Sequence, residues 1–242
     1  MIELEHVSKS FGGVKAVRDV NLIIDHEKIL GLIGCNGAGK TTLFNLIAGQ
    51  FPATSGRILF DGEDVTALPA YDRAKLGIAR TFQIPQPLMK LSLFENVLVG
   101  AFMRTADRDE AGAAAMAVLD QTGLVDKADL YAGELTTPDL KRLEVARALA
   151  TGPQVLLLDE VMAGLRPAEV DAAMEMCRTI QKSGVTIVLV EHVMYAVMNL
   201  CEHVVVLDQG SIIADDTPEN IAADSRVIDI YLGREHANDE AA

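Results

Sequence analysis

Short apolar runs of strand length alternate along this chain with stretches of helical period. "MIELEHV" and "NLIID" read as strands, with "SFGGVKAV" between them as a turn and a short edge strand. "KILGLIG" is an apolar run that leads straight into glycines. "KTTLFNLIAG" then has helical spacing, with Gly49 placed to end the helix. "SGRILFDGEDV" reads as a strand followed by an Asp-Gly turn. From "SLFENVLVG" through "ADRDEAGAAAMAVLDQTGL" the period is helical, and Ser92 with Glu95 forms a capping box. After Leu140 strands return: "QVLLLDE" and "VTIVLVEH" are buried-strand runs separated by the helical "PAEVDAAMEMCRTIQKSG". "HVVVLDQGSIIADD" reads as a hairpin, and Thr217-Pro218 starts a further helix. The pattern predicts an α/β core with a β subdomain over 1–82 and 138–233. A helical lobe interrupts it over 83–137, and 234–242 form a polar tail.

Composition narrows the function classes. Half of the 242 residues are apolar, enough for a sizeable core, and 21 basic against 35 acidic residues give a net charge of −14. Such acidity disfavours nucleic acid as a partner and direct attachment to an anionic membrane. Cys35, Cys177 and Cys201 show no paired spacing, as suits a reducing compartment and no zinc site. No apolar run reaches membrane-spanning length. The expectation is a cytoplasmic protein that would serve a membrane only through a partner.

Three motifs carry chemistry. "GCNGAGKT", Gly34 to Thr41, satisfies G-x4-G-K-[ST] between a strand and a helix. Backbone N–H groups of Gly34, Cys35, Asn36, Gly37, Ala38, Gly39 and Thr42 are placed to close around phosphates, with the helix dipole assisting. Lys40 would bridge β- and γ-phosphates, and the Thr41 hydroxyl would ligate Mg²⁺. In "VLLLDE", Asp159 emerges at the C-terminal end of a buried strand, where open α/β sheets bind ligands. It would hold Mg²⁺ through water, and Glu160 would orient or deprotonate an attacking water. "VLVEH" ends a neighbouring strand at His192, which would project toward the same phosphate.

In this order the motifs resemble the nucleotide-binding subunits of ATP-binding-cassette (ABC) transporters along nearly the full chain. The resemblance implies a P-loop NTPase cassette with a RecA-like core, an antiparallel β subdomain and a helical subdomain. By it, Gln83 in "GIARTFQ" touches Mg²⁺ and the water, Phe11 stacks on adenine, and His192 is the switch histidine. "AGLRP", Ala163 to Pro167, is similar to the loop after the catalytic glutamate, with Arg166 in place of its usual acidic or amide residue. "GIARTFQ", "ENVLVG" and "YLGREHA" look most like importers of branched-chain amino acids and related compounds. Implied partners are ATP, membrane permease subunits at the inner face of the membrane, a second ATP-binding subunit and, indirectly, a solute-binding protein. A groove near "QIPQPLMKLSLFENV", with Leu88, Met89, Leu93 and Phe94, would receive the permease. A soluble ABC-type ATPase of DNA repair or translation fits less well, because no coiled-coil insertion or second cassette is present. A regulatory subunit with weak turnover is the remaining alternative.

The family's signature loop, L-S-G-G-Q, corresponds by position to Leu135-Thr136-Thr137-Pro138-Asp139. In the family this loop contacts the γ-phosphate bound by the other subunit. Thr136 keeps a hydroxyl, but Thr137 and Pro138 replace glycines, and Pro138 has no N–H. One donor lost to a charged phosphate costs about 1.5–3 kcal/mol. Asp139 adds a negative charge near an anion. As a helix start the stretch is good: Thr137 would cap, Pro138 suits the first turn and Asp139 the positive end of the dipole. This favours a heterodimer whose paralogous partner supplies an intact loop, with a homodimer as the alternative.

Overall fold

A computed structural model describes residues 1–82 and 84–230. β1 (Ile2–Phe11) and β2 (Val14–Ile24) form one long hairpin turning at Gly12, in place of the predicted strand, turn and edge piece. Register shifts between Leu4 and Ser10 let the ladder run through positions whose alternation is broken. β3 (Ile29–Ile33) is buried throughout and feeds the glycine loop and α1 (Lys40–Ile47). β4 (Ser55–Phe60) pairs antiparallel with β1 and turns at Asp61-Gly62 into β5 (Glu63–Asp64). Both turn residues have positive φ, 49° and 82°, as a two-residue hairpin turn requires.

α2 (Ala70–Leu76) and β6 (Ile78–Arg80) have no counterpart in the sequence expectation. α3 (Leu93–Ala101) starts at the Ser92–Glu95 capping box and α4 (Arg108–Gln121) at an Asp107 cap. Then follow α5 (Thr137–Leu149), β7 (Val155–Asp159), α6 (Pro167–Lys182) and β8 (Thr186–Val190). α7 (Met194–Leu200), also unpredicted, leads to the hairpin of β9 (His203–Asp208) and β10 (Ser211–Asp216). α8 (Pro218–Ala223) starts at the predicted Thr217 cap.

Two sheets result. The antiparallel one has the order β2-β1-β4-β5, and the larger one β10-β9-β3-β8-β7-β6, parallel except for β10. Both faces of the larger sheet are covered, so its inner strands are apolar without alternation. One face, with Leu32, Leu157 and Val190, packs on α1 and the antiparallel sheet. The other, with Ile33, Leu158 and Leu189, packs on α5, α6 and α7. A third cluster joins α3 and α4 through Leu93, Val97, Ala115 and Leu119. α5 belongs to two clusters: Val145, Ala148 and Leu149 face the sheet, while Leu143 and Ala146 face the helical lobe. Burial of Leu93 corrects the expectation that it belongs to an exposed contact surface.

Candidate active site

Strand order decides the site. β3, β8 and β7 are neighbours, and Leu32 and Asp159 both pair with Val190, so their C-terminal ends converge. At that edge lies an open cleft of about 520 Å³, lined by Asn36 to Thr42 together with Glu160 and His192. Gly34 and Gly39 hold the loop in place because larger residues would collide. A Cβ at Gly34 would lie 2.2 Å from the Leu207 carbonyl oxygen, and one at Gly39, where φ is 106°, 2.4 Å from that of Ala16. The N-terminus of α1 has no side-chain cap, so its N–H groups face the cleft as an anion site does.

Lys40 is buried, and its ammonium donates to the Gly34 and Cys35 carbonyl oxygens at 2.6 and 3.2 Å. Burial holds its pKa below the usual value, against the opposing pull of Glu160. Asp159 is 3% exposed, and its N–H donates to Thr81 Oγ1 at 3.0 Å. Burial raises its pKa, while the Arg80 guanidinium, 3.4 Å away, works in the other direction. Glu160 Oε1 lies 3.2 Å from His192 Nε2, placing carboxylate and imidazole together at the cleft.

Arg80 lies within "GIARTFQ", and the sequence expectation gives it no role. A basic residue closing a strand beside the Asp159 strand is the signal that could have found it, since it contacts both Asn45 and Asp159. Lys15 and Arg18 also line the cleft, giving an acidic chain a basic mouth there. Phe11 stands outside the cleft lining, edge-on to Phe51 at 5.3 Å, while Val14, its partner across the hairpin, lines the cleft. Gln83 lies outside the described residues, as do the ending "YLGREHA" and the tail over 234–242. Asp159 and Thr41 offer a carboxylate and a hydroxyl, hard oxygen donors of the kind Mg²⁺ takes, so the residues present fit that ion.

At the start of α5 the structure corrects two expectations. The cap is Thr136, not Thr137, which is already helical. Thr136 Oγ1 accepts from the Asp139 N–H at 3.4 Å and donates to Asp139 Oδ2 at 2.8 Å. Asp139 is also not a bare charge: it is 6% exposed, and Lys127 Nζ donates to the same Oδ2 at 2.6 Å.

A glycine loop opening a helix, flanked by a carboxylate pair and a histidine from neighbouring parallel strands, defines a phosphate-loop nucleotide hydrolase. The ABC transporter family matches residues 17–163, and the chain belongs to it: this is an ATP-binding cassette, an ATPase. It is 37% identical to the high-affinity branched-chain amino acid transport ATP-binding protein BraF of Pseudomonas aeruginosa, covering 96% of this chain and 98% of that protein. Against the Escherichia coli K12 protein LivG, of the same description, the identity is 36%, with the same coverage. A nucleotide-free ATP-binding cassette from an ABC transporter superposes with a TM-score of 0.88 at 31% identity, over 96% of this chain and 98% of that one.

Proposed function

We propose that this chain hydrolyses ATP to power solute import by an ABC transporter, with branched-chain amino acids or related compounds as cargo. The observation that carries the reading is the pairing of Glu160 with His192 at 3.2 Å on the cleft that the phosphate loop opens. That BraF and LivG are branched-chain amino acid transport ATP-binding proteins supports the cargo class.

Backbone N–H groups of Gly34 to Thr42 hold the phosphates and Lys40 bridges them, while Phe11, exposed across the hairpin from the cleft-lining Val14, stacks on an adenine that reaches beyond the cleft. Glu160 orients and deprotonates the attacking water while His192 contacts the γ-phosphate. Thr41, Asp159 and Gln83 would hold Mg²⁺, which would supply positive charge to offset that of the phosphates. The permease docks where Tyr71, Phe82, Ile84, Leu88 and Met89 are exposed, beside a groove of about 290 Å³ between α2, β6 and α5. Through it the cassette sits at the inner face of the membrane, with a solute-binding protein acting further out.

A paralogous partner subunit with an intact signature loop is favoured over a second copy of this chain. Pro138 has no N–H, and the Thr136 hydroxyl is already committed to Asp139, so Leu135 to Asp139 make a weak contact for a partner's γ-phosphate. The same facts favour, as the second reading, a nucleotide-binding subunit with slow turnover.

Glu160→Gln, which should bind ATP without cleaving it, tests these readings by light scattering with and without Mg·ATP. The expected result is ATP binding by a monomer that dimerises only when a paralogous subunit is added. ATP-driven dimerisation of the variant alone would establish the homodimer, and failure to bind ATP would end the reading.

A further inference from the structure

The segment from Glu160 to Ala163 is held from two sides by groups that the proposed chemistry does not use. Glu160 has φ of 51°, a left-handed conformation that is unfavourable for a residue with a side chain. Such backbones persist where the surroundings over-determine them. On one side Lys141, from α5, donates through Nζ to the carbonyl oxygens of Glu160 at 3.1 Å and Ala163 at 2.5 Å. On the other, Glu191 directly follows β8 and is 1% exposed. Its Oε1 accepts from the Met162 N–H at 2.6 Å, and its Oε2 accepts from the His192 N–H at 3.3 Å. The Glu160 N–H is tied to the Val190 carbonyl at 2.8 Å. One buried carboxylate therefore joins the backbone that bears Glu160 to the backbone that bears His192.

We propose that Lys141 and Glu191 are positioning residues, a two-sided clamp that keeps Glu160 left-handed and sets its carboxylate against His192. Lys141 holds the carbonyls of the segment and Glu191 the N–H between them, so neither alone fixes its rotation. Lys141 stands about one and a half turns beyond the Thr136 cap, so the clamp is anchored on the helix that begins with the signature-loop positions. Its consequence for hydrolysis rests on the proposed function; its consequence for the backbone does not.

The test uses the full chain as Lys141→Met, Lys141→Arg and Glu191→Gln. Without nucleotide, Lys141→Met and Glu191→Gln should speed amide hydrogen exchange over Glu160 to Leu165 about tenfold or more, leaving β7 and β8 unchanged. Lys141→Arg should restore protection. With ATP, binding of a fluorescent nucleotide analogue should stay within about threefold of wild type while turnover falls about tenfold or more. Unchanged exchange in both Lys141→Met and Glu191→Gln would overturn the clamp, as would equal acceleration in the strands. If Glu191→Gln does not fold, the Lys141 pair decides alone. A wild-type chain that binds no ATP would defeat the proposed function, and the exchange result would still decide the clamp.

Discussion

Asp139 combines a buried carboxylate, a lysine partner and the first turn of a helix, and its titration can be followed. Burial pushes its pKa up, but hydrogen bonds from Lys127 and Thr136 and the Lys127 charge prevail and hold it below its usual 3.8. Its stabilising contribution is therefore full above pH 3.8 and is lost as pH falls through the depressed value. Asp139→Asn should lower stability by about 1–3 kcal/mol at neutral pH, with the gap to wild type closing in acid; urea titrations at several pH values measure it. Cys35 offers a second measurement. Burial pushes the Cys177 and Cys201 thiols up to about 12, whereas Cys35 is partly exposed in the phosphate loop. A thiol reagent should therefore modify Cys35 selectively and block nucleotide binding, and ATP should protect it; equal labelling with and without saturating ATP refutes this. At this scale Asp159, Glu160 and His192 are legible in the sequence because each follows an apolar strand run, and Lys40 and Thr41 because they close the G-x4-G-K-[ST] motif. Lys127 is not legible, since its meeting with Asp139 depends on a loop packing that no local pattern encodes.

α2 shows why short elements escape sequence reading. Its seven residues have no clear apolar period, and what fixes it is one buried side chain, Arg73. The guanidinium donates to the carbonyl oxygens of Leu46, Ile47, Leu68 and Thr66, at 2.6 to 3.1 Å, and so closes the C-terminal end of α1. Burial lowers its pKa to about 10, which still leaves it charged at neutral pH. Arg73→Met keeps most of the volume but leaves those carbonyls without donors. It should lower the free energy of unfolding by about 2–5 kcal/mol, read as a lower urea midpoint at unchanged slope. β7, β8 and α6 are readable for the opposite reason: the unbroken apolar runs of the two strands and the apolar helical period of α6 are local. The hairpin of β1 and β2 reads from sequence as fragments because its register shifts break the alternation that marks a strand.

For the whole molecule, the α/β class follows from apolar strand runs that end in chemical motifs, and the helical lobe from an alanine-rich change of period. Legibility stops at α5, whose sequence does not reveal that its two sides serve different clusters. That double membership makes the lobe and the core one packing unit at the point where the signature-loop positions begin. The strand order has a further consequence, for the time course of synthesis. β3, early in the chain, finds its two sheet neighbours in β8 and β9, which leave the ribosome on the order of ten seconds later. Until then both edges of an apolar strand stand open, and the glycine loop has no sheet to project from. A growing chain therefore acquires its nucleotide pocket only once β8 and β9 have been made, and until then it carries an open-edged apolar strand.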